Sequence, residues 1–386
     1  MENKPQALTS RERVRRTLAR EPVDRAPIDL GGMSGLNCSG ISAFAYWNLR
    51  EHLGLSTDRI EVTDVWQFLA RVDEDVMRRF HVDLIYLQPP WPQATVWNPR
   101  GQYRFVVPAD MKPEQQSNGD WIVKGQDSEM CMPANGFNFQ GHNAYGWPSL
   151  GDAWLNPMAR EAERLYHETE YAMVGPWVGT FFHGVDQGVQ MLLEPETVLT
   201  QNSAACDLAI QQFDKTNKKY GRFIQMVGLG NDMGSQQGPL CRPELIDQYC
   251  GEAYRRLCRH IHENSDIKVF IHNCGAIRDL IPMLIDWGVD VLNPVQISAQ
   301  GMDPAKLKAD FGDKIIFWGG GCDTQNVLGQ KRPEEVAQHV RELVRIFSPG
   351  GGFIFNQVHN IQGDVLPENI VAMFDAADAE LSNESK

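Results

Sequence analysis

His272 and Cys274 stand two residues apart in the run Lys268-Val-Phe-Ile-His-Asn-Cys-Gly275, and Cys322 closes a second apolar run, Lys314-Ile-Ile-Phe-Trp-Gly-Gly-Gly-Cys322. Side chains at i and i+2 of a strand share one face, so His272 and Cys274 can bind a single ion together. An imidazole and two thiolates without an obvious fourth thiolate match an open, catalytic Zn²⁺ site better than a closed structural one. A lone buried cysteine is equally an ordinary core residue. What sets these residues apart is placement: both runs end in glycine-rich turns, where backbone approaches a ligand closely and functional side chains emerge.

The elements that must position this triple follow from the hydrophobic pattern. Apolar runs bounded by turn residues recur at Ala26–Leu30, Val82–Gln88, Ala172–Val178, Arg222–Gly228, Lys268–His272, Val289–Asn293, Lys314–Trp318 and Gly352–Gln357. Amphipathic helices fit between most of them, and Pro333–Phe347 places Val336, Val340, Leu343, Val344 and Phe347 on one face. Alternating strands and helices of this number predict an α/β fold, a (β/α)8 TIM barrel, with the active site at the C-terminal ends of the strands. His272 and Cys274 then cap the fifth strand and Cys322 the seventh, and alternate strands feed a common layer.

A single domain over residues 1–386 is expected, interrupted by an inserted segment at 91–165. Val96-Trp-Asn-Pro-Arg-Gly-Gln-Tyr-Arg-Phe-Val-Val107 and Asp120-Trp-Ile-Val-Lys124 read as short β-ribbons in that insertion. Phe137, Phe139, His142, Tyr145, Trp147 and Trp154 follow. Aromatic density there fits either a lid over the barrel mouth or a satellite core.

Composition narrows the class. Eight cysteines lack the dense, regular spacing of a secreted disulfide scaffold, so they read as reduced thiols of a cytoplasmic protein. No stretch of about 18 apolar residues occurs, which argues against a membrane protein. A net charge of −14 argues against nucleic acid, whose phosphates demand clustered cations. Arg11, Arg13, Arg15, Arg16 and Arg20 form the densest basic run, on a helix opened by the capping pattern Thr9-x-x-Glu12, and read as a solvated face.

Three stretches carry a family likeness: Arg11 to Gly32, with its Glu21-Pro-Val-Asp-Arg-Ala-Pro-Ile-Asp-Leu-Gly-Gly32 ending, Gly230-Asn-Asp-Met-Gly-Ser-Gln-Gln-Gly-Pro-Leu240, and Trp318-Gly-Gly-Gly-Cys-Asp-Thr324. They resemble the uroporphyrinogen decarboxylase superfamily. The decarboxylases themselves carry Arg-Gln-Ala-Gly-Arg just after the first strand, to hold substrate carboxylates. Here that place reads Gly31-Gly-Met-Ser-Gly-Leu-Asn-Cys38. Without cationic anchors a porphyrinogen's carboxylates would be desolvated unpaired.

The better match is the zinc-dependent, corrinoid-linked methyltransferase branch, whose His-x-Cys pair and later Cys fall on His272, Cys274 and Cys322. The resemblance thus implies Zn²⁺ and a cobalamin corrinoid carried by a partner protein, since the chain has no Asp-x-His-x-x-Gly run of its own. It also implies a small-molecule methyl donor. Asp232 and Glu194 are the carboxylates considered for a fourth ligand. His183, Asp232 and His359 are the expected catalytic side chains, and Trp177, Asn293, Gln296 and Asn356 the expected substrate contacts, all at strand ends. An aromatic-rich mouth favours an aryl methyl ether over a thiol of the coenzyme M type. A decarboxylase-like lyase and a non-catalytic cobalamin-protein binding module are the other readings.

Overall fold

A computed structural model describes residues 8–34, 38–125, 128–141, 151–230 and 232–383. Seven parallel strands form one curled sheet in the order Phe353–Ile354, Ile316–Trp318, Val291–Asn293, Lys268–His272, Met226–Gly230, Ala172–Gly179 and Leu84–Ile85. The expected eighth member, Ala26–Leu30, is reduced to a single parallel bridge between Ile28 and Phe355. It still closes the ring: Phe355 N donates to Pro27 O at 2.8 Å, Asp29 N to Phe355 O at 2.9 Å, and Asp83 N to Ile28 O at 2.7 Å. The fold is the α/β barrel that the sequence pattern predicts.

Period-two alternation decides what fills the barrel. Leu84, Ala172, Val174, Met226, Phe270, Val291, Ile316, Trp318 and Ile354 point into one buried cluster, while Val227, Ile271, Leu292 and Phe317 join the outer core under the helices. Trp318 therefore fills the lumen. Its indole Nε1 donates to the buried carboxylate of Asp29 at 3.1 Å, a partner that a wall position would not supply. Helix Pro333–Phe347 buries the five apolar residues expected of it.

The Ser10–Leu18 helix stoppers the N-terminal end of the lumen with Val14 and Leu18. Its basic run is only partly a solvated face, contrary to expectation. Arg15 and Arg16 pair with Glu12 at the surface, but Arg13 is buried and reaches Asp83 at 2.6 Å and Asp24 at 2.7 Å. Arg11 stacks on Tyr166 and donates to the carbonyls of Thr169 and Tyr171. Arginine's long stem and five donors let it reach buried carbonyls and carboxylates that a periodicity argument cannot see.

The insertion departs most from the sequence reading. Its first sheet, in the order Leu69–Ala70, Ile60–Asp64, Phe105–Pro108 and Ala94–Trp97, recruits two strands from before the second barrel strand. The Ala94–Trp97 and Phe105–Pro108 ribbon forms as expected around the Pro-Arg-Gly turn. A second sheet runs Glu114–Gln115, Trp121–Lys124, Glu129–Met132 and Gln140–Gly141. Phe137 and Phe139 pack against Phe44, Phe68 and Trp97 in a satellite core. Trp154 lies on the barrel helix Asp152–Glu168, whereas His142, Tyr145 and Trp147 lie outside the described residues. Among the described residues, no helix is long and apolar enough to cross a membrane.

Asp83 ties the ends of the barrel together. Its carboxylate is fully buried, accepts from Ile28 N at 2.8 Å, and pairs with Arg25 as well as Arg13. Asp83→Ala would leave two arginines without their shared anion. Removing one partner of a buried ionic group costs about 3–5 kcal/mol, so urea unfolding of the variant should show a loss of that size. A loss below about 1 kcal/mol would show that closure does not depend on this carboxylate.

Candidate metal centre

His272 is the last residue of Lys268–His272 and continues the inward series through Phe270, so its ring emerges from the lumen at the C-terminal mouth. Two residues on, Cys274 Sγ lies 3.4 Å from His272 Nε2. The third member of the cluster is His359: one ligand atom from each of His272, Cys274 and His359 falls within 4.8 Å of the other two. His359 follows the last barrel strand and sits at φ 61°, a left-handed conformation that a non-glycine residue adopts at a cost. The imidazoles of His272 and His359 meet edge to face at 5.3 Å.

Cys322 is the exception among the expected ligands. It is buried with the outer core, and its thiol hydrogen shares only a long 3.9 Å contact with the Asp323 carbonyl. The chain reaches it through Gly319 and Gly320, both at positive φ, where Gly320 comes so close to Val295 that a Cβ would stand 2.9 Å from its side chain. That turn breaks the extended backbone on which the alternation rule depends, and Cys322 is not among the three residues whose ligand atoms cluster.

Neutral hydrogen bonds fix each ligand. Asn293 Nδ2 donates to Trp318 O at 3.2 Å, so its Oδ1 faces His272 Nδ1 at 2.9 Å and must accept from it. The tautomer follows: Nδ1 carries the proton and Nε2 presents a lone pair toward Cys274 and His359. Asn293, expected to contact substrate, is instead the residue behind the ligand. Gln296, likewise expected at substrate, accepts from Gly275 N at 2.7 Å and anchors the turn after Cys274. Gly275 itself is at φ 100°, and an added Cβ would sit 2.5 Å from the Gly234 backbone.

Asp232 accepts from Cys274 N at 2.8 Å and lies 3.9 Å from His272 Nε2, beside the three-residue cluster. Trp177 covers the lumen below, 5.4 Å from Phe270 and 6.4 Å from His272. Asn356 is fully buried, and its Nδ2 donates to Asp29 O and to Gln357 Oε1. His183 is exposed after Ala172–Gly179, its backbone N held by Gln187 Oε1 at 2.9 Å, and Glu194 is exposed at the junction of two helices. Neither belongs to the cluster.

Burial sets the charge state of the cluster. It holds His359 down at about 4, with the nearby His272 ring adding to the effect, and it lowers His272 as well. It also pushes the Cys274 thiol up, reinforced by Asp232. Burial thus favours the neutral His359 imidazole, a lone-pair donor, over the charged form. Two neutral imidazoles and a thiol are a borderline-soft donor set suited to Zn²⁺, whose charge would convert the thiol to thiolate. The residues present fit the ion.

Residues 190–380 match the family model described as uroporphyrinogen decarboxylase (URO-D). All three cluster residues lie within that match. The match places this half of the chain in the uroporphyrinogen decarboxylase superfamily. A uroporphyrinogen decarboxylase of Psychromonas ingrahamii is 26% identical over 184 residues, 47% of this chain and 48% of that protein. One from Pseudoalteromonas atlantica is 32% identical over 92 residues, 24% of this chain and 21% of that protein. The chain thus aligns with about half or less of the length of these relatives. A methyltransferase from Methanosarcina mazei superposes with a TM-score of 0.50 at 13% identity, covering 96% of this chain and 99% of that one, and so shares the fold.

Within this superfamily member, two features of the site and its surroundings escaped the sequence reading. One is His359 as a ligand, for which the only signal is a histidine just beyond the last strand. The other is Asp29, a fully buried carboxyl whose pKa burial pushes up to about 7. Its signal was available: a charged residue in the middle of Ala26-Pro-Ile-Asp-Leu30.

Two outcomes follow for the superfamily member's centre. Asn293→Leu removes the acceptor that holds His272 Nδ1–H, so zinc affinity measured by competition with a chelator should fall about 10–100-fold with little change in fold; unchanged affinity would remove Asn293 from this role. In the metal-free protein, His359 binds its proton less readily folded than unfolded. Its contribution to stability is therefore complete above the unfolded value of 6.5 and is lost as pH falls toward 4. His359→Asn, which tolerates the left-handed backbone, should flatten the stability profile between those two values relative to the parent.

Proposed function

We propose that this chain is a zinc-dependent methyltransferase that moves a methyl group from a methoxylated aromatic to the Co(I) corrinoid of a partner protein. One observation carries the reading: His272 Nε2, Cys274 Sγ and a His359 ring nitrogen converge at the C-terminal mouth of an α/β barrel. The barrel shared with a methanogen methyltransferase and the absence of arginine or lysine from Gly31 to Cys38 support methyl transfer over decarboxylation.

Zinc bound there would supply Lewis acidity to the donor's ether oxygen, whose departure as an aryl oxide otherwise leaves negative charge unsupported. The protein's own contribution is orientation. Asn293 holds His272 in the tautomer that keeps Nε2 unprotonated, Asp232 and Gln296 fix the backbone on either side of Cys274, and Gly275 lets that turn pack against Gly234. Trp177, Phe270, Met33 and Trp318 make the surface beneath apolar and aromatic, which favours an uncharged aryl ring. His183, exposed just after Ala172–Gly179, is the side chain to which we assign exchange of a proton between bulk solvent and a departing phenoxide.

The direct test supplies zinc-loaded protein with Co(I) cobalamin and, separately, veratrole-like, methylthiol and methanol donors. Methylcobalamin absorbance should develop with the aryl ether and be abolished by Cys274→Ser. Activity with none of the donors, or a zinc content near zero, would overturn the reading.

A further inference from the structure

The short helix Val185–Leu193 sits at the rim of the barrel mouth with an apolar side facing solvent. The strand Ala172–Gly179 ends at that mouth, and the long helix Pro195–Tyr220 returns the chain to the opposite end, where Met226–Gly230 begins, so both ends of the short helix lie at the rim. At about 100° per residue, Val185, Val189, Leu192 and Leu193 fall within an arc of about 100°. All four are exposed, Leu193 by 75%. Eight large apolar side chains are exposed among the described residues, and half of them belong to this one helix. Leu199, about one turn into the next helix, is exposed as well and borders a shallow hollow with Ser203 and Ala204.

The opposite side of the helix holds it there. Gln187, Gly188 and Met191 are buried. Gln187 Oε1 accepts from His183 N at 2.9 Å, and Gly188 packs so tightly on Cys241 that a Cβ would collide with its sulfur. Cys241 belongs to the loop after Met226–Gly230, which also supplies Asp232 to the backbone of Cys274. The helix is thus seated on the surroundings of the metal centre, and its outer stripe is left to solvent. A helix ordinarily turns such a stripe to the core, so an outward one marks an interaction surface.

Charge decides what covers it. From Leu165 to Asp214 the chain has no lysine or arginine, and Asp186, Glu194 and Glu196 stand exposed beside the stripe. The neighbouring Pro243–Ile246 turn adds one exposed charge of each sign, Arg242 and Glu244. A second copy docked about a two-fold axis would set the three carboxylates against their own counterparts, at a net charge of −14 per chain. A membrane-surface helix carries lysine and arginine on its polar flanks, and this one has none. What fits is a protein surface with an apolar centre and a basic rim. We propose that the outer face of Val185–Leu193 docks the protein that carries the corrinoid. The inference rests on the methyl-transfer reading and goes beyond it by assigning the partner's landing surface and the charge of its rim. The helix is only about 14 Å long. A contact centred on it is small, as suits a carrier that must dock and leave at every turnover.

The probe is a purified corrinoid protein of the same organism, one bearing the Asp-x-His-x-x-Gly run, titrated against the zinc-loaded full chain. Its Kd should rise about tenfold or more in Leu192→Ser/Leu193→Ser and, separately, in Val189→Glu. It should not change in Leu208→Ser, an exposed leucine farther along Pro195–Tyr220. Methylation of free Co(I) cobalamin, which needs no docking surface, should be the same in all four proteins. Equal binding by parent and stripe variants, or no binding by a parent that methylates free cobalamin, would overturn the docking assignment and leave the functional reading standing. A parent dimer that the stripe variants dissociate in sedimentation would give the face to a second copy. Cosedimentation of the parent, but not the variants, with phosphatidylcholine and phosphatidylglycerol vesicles would give it to a membrane, and either result overturns the assignment. Failure of the parent with free cobalamin and every donor would sink the functional reading and this inference with it.

Discussion

The structure depends on one carboxylate. Asp83 is buried among apolar neighbours at the point where the first barrel segment must meet the second, and it accepts from the backbone of Ile28 while pairing with Arg13 and Arg25. A buried carboxylate alone would be costly, but three charge-assisted or backbone donors repay most of that cost and fix geometry. The first segment contributes only one bridge to the sheet, so backbone pairing by itself is a weak seam. With Asp83 in place the seam holds, and the loop after the first strand is delivered to the same mouth as the loop after the last.

Closure matters because the cluster is assembled from distant parts of the chain. His272 and Cys274 come from one strand end, His359 from the strand three positions further around a ring of eight, and the supporting Asn293 from the strand next to His272. Their relative placement is set by strand register and not by local sequence. Each ligand is then held in place: by an amide behind His272, by a carboxylate and an amide at the backbone around Cys274, and by left-handed backbone at His359. Burial keeps both imidazoles unprotonated and the thiol protonated, so the metal-free centre carries no charge of its own ligands. A dication arriving there meets two lone pairs ready to bind and one proton to displace.

The same lumen constrains what can lie against the centre. Met33, Trp177, Phe270 and Trp318 present methyl, indole and phenyl surface, and the loop from Gly31 to Cys38 contains no cation. A substrate bearing several carboxylates would exchange hydration for hydrocarbon there without compensation. An aryl ring pays no such penalty, and its single ether oxygen needs only one electrophile. The aryl ether proposed as donor fits both the apolar lining and the ligand set.

How much of this was legible in the sequence follows from where the backbone stays extended. Alternation with period two correctly placed Phe270 and His272 on the inner face, and the i to i+2 rule carried one step beyond the strand to Cys274. The eight-strand count was legible for the same reason, although the first strand shrank to one bridge because side-chain ions, invisible to periodicity, do its work. The rule does not reach Cys322 because Gly319 and Gly320 turn through positive φ, after which parity carries no information. It could not select His359 as a ligand because that residue lies in a left-handed turn past the last strand, where no period applies. Asn293 was found at the right place with the wrong partner: a strand end points its side chain at the mouth, but only the Trp318 carbonyl, contributed by the neighbouring strand, shows which end of the amide is left to face His272. Chemistry readable from spacing is thus confined to stretches where the chain is regular, and the remainder of the centre is written in the turns that only closure of the barrel brings together.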